Sequence, residues 1–221
     1  LSAALTFATF FVIVGIGQMF VVTLGPGNVD LSIPATITLA GSVAMKVMDT
    51  QDSMILVGLA IAVACGLAVG IFNYGLILLL RIPPIIATLS SSFLVQSTAI
   101  AYGRGLRIKP PPMLADLTTS QIGGVPVLAI MVALLAAFMG VVMHRTVYGR
   151  SVLAIGGNTR AADLAGIKVE RIRFATYLIS AVLAAVCGYL FSGFSGGSSL
   201  SMGEQYLLAS IAVVVIGGTS V

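Results

Sequence analysis

Charge is what this sequence has least of: only 8% of its 221 residues are Asp, Glu, Lys or Arg, against 58% hydrophobic ones and a mean hydropathy of +1.12. Soluble globular domains carry roughly 25% charged residues, so that class is excluded. Charge-free runs extend over Leu1 to Val29, Ser53 to Leu80, Ile82 to Gly103, Leu117 to Met143 and Phe174 to Gly203. Each can supply the ~20 apolar residues that cross ~30 Å of hydrocarbon. Leu31 to Met45 and Gln205 to Val221 are shorter and bring the expected count to about seven segments. Lipid cannot hydrogen-bond a free backbone, so open sheets and lipid-exposed loops are excluded. The expected fold is all-α: one polytopic transmembrane helical bundle over 1–221, with membrane lipid as its solvent.

Cysteine and histidine are almost as rare. Cys65 and Cys187 lie in apolar runs among Ala, Gly and Val, and read as small packing residues rather than a disulfide or metal pair. His144 is the only histidine. "GFSGG" (193 to 197) matches G-x-S-x-G, and its first four residues look like the serine motif of intramembrane rhomboid proteases. A serine nucleophile needs a base within hydrogen-bond reach. His144 is upstream of Ser195 and falls on the opposite side in the topology below, so a Gly/Ser-rich loop is the expectation. Neither HExxH nor a Walker A pattern is present. No enzymatic activity, bond-cutting or ATP-hydrolysing, is expected of this chain.

The net charge of +4 does not point to nucleic acid, because the cations lie in loops between apolar runs. Six of the eleven Lys and Arg fall between residues 144 and 173, so that loop is expected to be cytoplasmic. Alternation then puts Arg81 inside, and the 46 to 53 turn and the 104 to 124 loop outside, a ratio of seven cations to four. Both ends read as cuts within a longer protein: there is no initiating Met, and the last run stops short of a crossing.

"GPGNVD" (25 to 30) interrupts the first apolar stretch. Gly25 and Gly27 permit dihedrals other residues resist, and Pro34 suits the first turn of a following helix. The stretch is therefore expected to be a broken helix pair. An ionisable group at membrane depth is a functional hypothesis, and broken helices line solute sites in many transporters. Asp30 is also a strong N-cap for a helix starting at Leu31; the two roles are compatible. Asn28 and Ser32 flank it. Further on, Gly58, Ala62, Gly66 and Gly70 form a one-turn stripe ending near Asn73, which reads as close helix packing. Ser92 and Gln96 share a face with Ala99 on the most polar span, and should face protein or water rather than lipid. Asn28, Asp30, Ser32, Asn73, Ser92 and Gln96 are the candidate path for a solute.

Within the basic loop, "GGNTRAADLAGIKVERIR" (156 to 173) reads as a short helix, Thr159 to Ala165, capped by Asn158 and stopped by Gly166. Ala161, Leu164 and Ala165 share one face. Seven residues span about 10 Å and are marginal alone in water, so this helix needs a surface to dock on.

"GPGNVDLSIPA" (25 to 35), "RIPPIIATL" (81 to 89), "GRSVLAIGGNTRAADLAGIKVERIR" (149 to 173) and "AVVVIGGTSV" (212 to 221) together resemble the permease subunits of ribose/xylose/galactose-type sugar ABC importers, a group similar to the branched-chain amino-acid permeases. The resemblance implies that Asn158, Arg160, Ala161, Ala162, Asp163, Leu164 and Gly166 belong to a coupling segment that docks on a separate ABC ATPase subunit. It implies a second permease chain, identical or not, and a periplasmic or extracellular solute-binding protein. The chain itself would carry no cofactor, ATP and Mg²⁺ being held by the ATPase. The place implied is the bacterial cytoplasmic (inner) membrane. The chain departs from the usual pattern at Pro34, Arg160, Leu207 and Ala209. The function expected is passage of a small hydrophilic solute, a monosaccharide foremost. Its rivals are an ion- or proton-coupled secondary transporter, which would need no ATPase subunit, and an intramembrane serine protease, which would label at Ser195.

Overall fold

A computed structural model describes residues 2–103 and 109–218. Arg104, Arg107 and the end of the 212–221 block lie outside the described residues. Helices α1 (Ser2–Val22), α2 (Ile33–Met48), α3 (Ile55–Leu80), α4 (Pro84–Gly103), α6 (Val127–Arg145), α9 (Val169–Phe194) and α10 (Tyr206–Ile216) follow the seven expected segments. Of these, α1, α3, α4, α6 and α9 are long and apolar enough to cross a membrane; α2 and α10 are shorter apolar helices. The protein is an all-α, multi-pass membrane bundle.

Helix α9 is the hub. The expected small-residue stripe is buried on α3 as Gly58, Ala62, Gly66, Gly70 and Asn73, and its middle lies on α9. A Cβ at Gly66 would sit 2.7 Å from the Ala181 carbonyl, and one at Gly70 would meet the Leu178 backbone at 3.1 Å. Across α9, a Cβ on Gly188 would fall 2.1 Å from the Ile37 carbonyl, so α2 crosses there in backbone contact. Such approaches are how helices associate in lipid, where burial of apolar side chains gives no driving force. Cys187 is buried and its thiol faces the Phe10 carbonyl at 3.8 Å; Cys65 is half-buried, and neither is in a disulfide. Helix α6 lies outermost, with Ile130, Met131, Leu134, Phe138 and Val141 exposed as lipid would require.

Three elements were not foreseen. On one side of the bundle, α5 (Pro112–Thr119) precedes a hairpin of β1 (Gln121–Ile122) and β2 (Val125–Pro126), turned by Gly123 and Gly124, both at positive φ. On the other, the basic loop holds two helices, α7 (Val147–Gly157) and α8 (Thr159–Leu164). Thr146 caps α7 by accepting from Gly149 N, and Val152 and Ile155 bury its inner face. The basic end of the bundle thus gathers α7, α8, the start of α9, the Arg81 turn and the break after α1: Pro26, Asn28, Arg81, Glu170 and Arg173 line one depression. At the opposite end, Thr50 reaches the Lys109 carbonyl and Asp52 accepts from Met113 N. The loops alternate between ends as charge counting anticipated.

Candidate functional site

The chain reverses after α1 without lying on the surface. Gly25 (φ 107°) and Gly27 (φ 79°) turn it, and Asn28 donates its side-chain amide to the Gly25 carbonyl at 3.0 Å. A Cβ on Gly156 would sit 1.9 Å from the Thr23 carbonyl, so α7 closes against this turn. Helix α2 then begins at Ile33 with Pro34 in its first turn, two residues later than the start foreseen at Leu31. Asp30 is consequently not the N-cap residue. It caps from two residues upstream, its Oδ1 accepting from Ser32 N at 3.0 Å and Ser32 Oγ at 2.6 Å. The shift follows from the turn, which keeps Leu31 and Ser32 outside the helical ladder.

The carboxylate is fully enclosed. Its Oδ2 accepts from Ser180 of α9 at 2.8 Å, and the Asp30 amide donates to Gln18 Oε1 of α1 at 3.3 Å. Asn73 of α3 donates to Ser32 Oγ at 2.7 Å and accepts from Ser91 of α4. Thr88 of α4 contacts both Val29 O and Leu31 N at 3.1 Å, and Tyr177 of α9 donates to Asn28 Oδ1 at 3.4 Å. Four helices, α1, α3, α4 and α9, therefore meet the break through side chains that are all buried. Ser180 is eleven residues into α9 and Asn73 seven from the end of α3, which places the knot about 10–16 Å from the basic end at 1.5 Å per residue. Among the described residues, no cation lies within salt-bridge distance of Asp30. Hydroxyl donors, the Ser32 amide and the positive end of α2 compensate it instead.

Of the sequence candidates, the structure brings together Asn28, Asp30, Ser32 and Asn73. It leaves Ser92 and Gln96 outside: both are half-buried, and Gln96 donates to the Leu200 carbonyl at 2.8 Å near the opposite end. The buried face of α4 runs through Thr88, Ser91, Val95 and Ala99, one position round from the face expected. Gln18, Thr88, Ser91, Tyr177 and Ser180 were missed as partners. Gln18 carried a signal, being the lone side-chain amide within α1; the serines and threonine are too common in membrane helices to stand out.

The second feature is α8. Asn158 accepts from Ala161 N at 3.0 Å, and the helix ends one residue sooner than foreseen, at Leu164. Gly166 (φ 85°) closes it: Gly166 N donates to Asp163 O at 2.9 Å and Ile167 N to Ala162 O at 3.1 Å, the Schellman pairing. Ala162 is buried in a cluster with Phe20, Val152, Ile155 and Val169. Ala161, Leu164 and Ala165 face outward together with Arg160 and Asp163, and Leu164 is 83% exposed. Burial pushes the Tyr148 phenol up from its ordinary pKa; its hydroxyl pairs with Thr176 at 2.8 Å and fastens α7 to α9.

The G-x-S-x-G serine is structural. Ser195 Oγ lies 2.8 Å from the carbonyls of Phe191 and Gly197, at the far end of α9 from the basic end, where His144 closes α6. Among the described residues, no group of three or more His, Cys, Asp or Glu is arranged to hold a metal.

Comparison with known proteins places this architecture. Residues 1–221 match the family described as "Branched-chain amino acid transport system / permease component". The ribose import permease protein RbsC of Bacillus subtilis is 32% identical over 212 residues, covering 94% of this chain and 65% of that protein. The L-arabinose ABC transporter permease protein AraH of Azospirillum brasilense is 30% identical over 217 residues, covering 94% and 60%. The inner membrane ABC transporter permease protein YjfF of Escherichia coli is 32% identical over 220 residues, covering 97% and 66%. The chain thus spans between 56% and 66% of the length of the curated relatives it matches. No solved structure matches it. A helical membrane bundle with a buried polar break and an exposed capped helix at its basic end is joined by a match over its whole length: the chain belongs to the branched-chain amino acid transport system permease component family.

Proposed function

We propose that the chain is the core of a membrane permease that imports a monosaccharide, driven by ATP hydrolysis in a separate ABC ATPase subunit. The observation that carries this reading is α8, a six-residue helix held by a cap, a Schellman turn and one buried alanine while Leu164 stands in solvent. A leucine so exposed on a helix so well fastened fits a groove on a soluble partner. The basic end then faces the cytoplasm, residues 144–173 form the coupling loop, and the membrane is the bacterial inner membrane. A second permease chain and an extracytoplasmic solute-binding protein complete the assembly, with ATP and Mg²⁺ bound by the ATPase subunit.

For the path we assign two roles among the candidate residues. Ser92 and Gln96, on the half-open side of α4, border it, and Asn28 reaches it through the depression below the break. Asp30, Ser32 and Asn73 spend their hydrogen bonds inside the chain and hold the wall in shape. An uncharged solute suits spans with so little charge, and the names of relatives such as the ribose and L-arabinose permeases agree with a monosaccharide. In cells carrying the full-length permease with its ATPase and binding protein, Leu164→Asp should cut labelled ribose or arabinose uptake at least tenfold, with insertion unchanged. Uptake at the normal rate would remove the coupling role. Uptake dissipated by an ionophore and indifferent to loss of the ATPase subunit would favour ion coupling instead.

A further inference from the structure

Three depressions meet at Glu170 on the basic end. One, of about 570 Å³, is lined by Arg160, Lys168, Arg171 and Arg173 together with Asp163 and Glu170. The second, of about 500 Å³, lies between the break and the Arg81 turn and includes Arg81 and Arg173. The third, of about 400 Å³, is a groove between α3 and α9 walled by Ile71, Tyr74, Gly75, Leu78, Leu79 and Phe174, with Glu170 and Arg171 at its mouth. Its walls are apolar and open outward: Leu79 is 80% exposed.

Charge at this mouth is unbalanced. Glu170 is already engaged, accepting from the Tyr74 hydroxyl and pairing with Arg173 at 3.7 Å. Among the described residues that is the one ion pair, so Arg81, Arg160, Lys168 and Arg171 face no carboxylate within salt-bridge distance. Arg173 keeps a buried Nε without a partner among the same residues. Lys168, Arg171 and Arg173 also crowd the positive end of α9, where a cation is disfavoured unless an anion stands beside it. An apolar groove on the membrane face of two spanning helices, with the unpaired Arg171 at its mouth and the unpaired Arg81 in the adjoining depression, is complementary to one kind of molecule.

We propose that the α3–α9 groove and its arginine mouth bind an anionic phospholipid, one acyl chain lying along Ile71, Gly75 and Leu78 and the phosphate between Arg81, Arg171 and Arg173. Basic pockets at the inner ends of spanning helices take such headgroups, and the chain adds buried apolar area that a free phosphate cannot supply. The site rests on the membrane placement of α3 and α9, not on the transport reading.

Two variants test the halves separately. Arg81 and Arg171 are exposed and make no ion pair among the described residues, so R81Q/R171Q removes charge without disturbing the fold. At Gly75 an added Cβ meets nothing within 4 Å, so Gly75→Leu has room to enter the groove. Full-length permease in neutral detergent would be given equal phosphatidylglycerol and phosphatidylcholine of matched chains, washed, and its retained lipid measured by mass spectrometry. Phosphatidylglycerol should be retained about tenfold or more over phosphatidylcholine, given ~1 kcal/mol per basic residue near the surface. R81Q/R171Q should bring the ratio close to one, and Gly75→Leu should lower retention of both lipids. Equal retention by the unaltered protein, an unchanged ratio in R81Q/R171Q, or unchanged retention in Gly75→Leu each overturns the site. So does loss of ATPase copurification in R81Q/R171Q with lipid retention unchanged, which would make the arginines a protein dock.

Discussion

Asp30 and Leu164 are both out of place by partition. The carboxylate is 1% exposed among spanning helices, and the leucine is 83% exposed in the basic loop. They differ in how the misplacement is resolved. Both carboxylate oxygens of Asp30 have donors within the chain, so its cost is met internally and its removal should be felt by the fold. Leu164 contributes almost nothing to the chain's own core, while its neighbour Ala162 does the anchoring. A polar residue satisfied from within shapes the protein; an apolar residue left outside is available to something else.

That contrast can be broken most severely at Asp30. Asp30→Ala leaves the Ser32 and Ser180 donors unpaired, and at ~1–3 kcal/mol for each buried orphan the loss should be about 3 kcal/mol or more, read by denaturation in detergent. Asp30→Asn keeps the shape and an acceptor, so it should fold while impairing uptake; full uptake would leave Asp30 a dispensable cap. Leu164→Asp should do the reverse of Asp30→Ala: midpoint unchanged within about 0.5 kcal/mol, as for surface sites, yet uptake lost. If both variants lowered stability alike, the contrast between the two regions would be gone. Smaller again is Asn158→Ala, which removes the α8 cap at about 1 kcal/mol of local helix stability; uptake should fall a few-fold, with no change in the melting midpoint. Smallest is Ser91→Ala, whose interhelical bond to Asn73 should count for about 0.6 kcal/mol, the average measured within membrane bundles.

Much of the fold was legible because lipid imposes it: long charge-free runs admit one backbone solution, and α3, α4 and α6 end within a few residues of the boundaries foreseen, while α9 stops at Phe194, well before the foreseen Gly203. Local chemistry was legible too, where it acts over three or four residues. Asn158 and Gly166 cap α8 as their side chain and dihedral freedom dictate. Ser91 was not preferred to Ser92, because one residue turns a helix by 100° and composition does not say which side a neighbour occupies. α7 went unseen because a half-buried helix in a basic loop has no long apolar run to betray it.

The sequence by itself determined the helical membrane class, the broken segment, the short capped helix and the alternation of loops. All of these follow from the solvent and from contacts between near neighbours in the chain. Only the tertiary structure decided that Asp30 meets Ser180 across 150 residues of chain, that Asn73 rather than Gln96 joins it, and that Arg171 of α9 stands at the mouth of an apolar groove beside the depression lined by Arg81. Which helices touch, and at what rotation, is set by how small residues on one fit backbone on another, and no single segment carries that information.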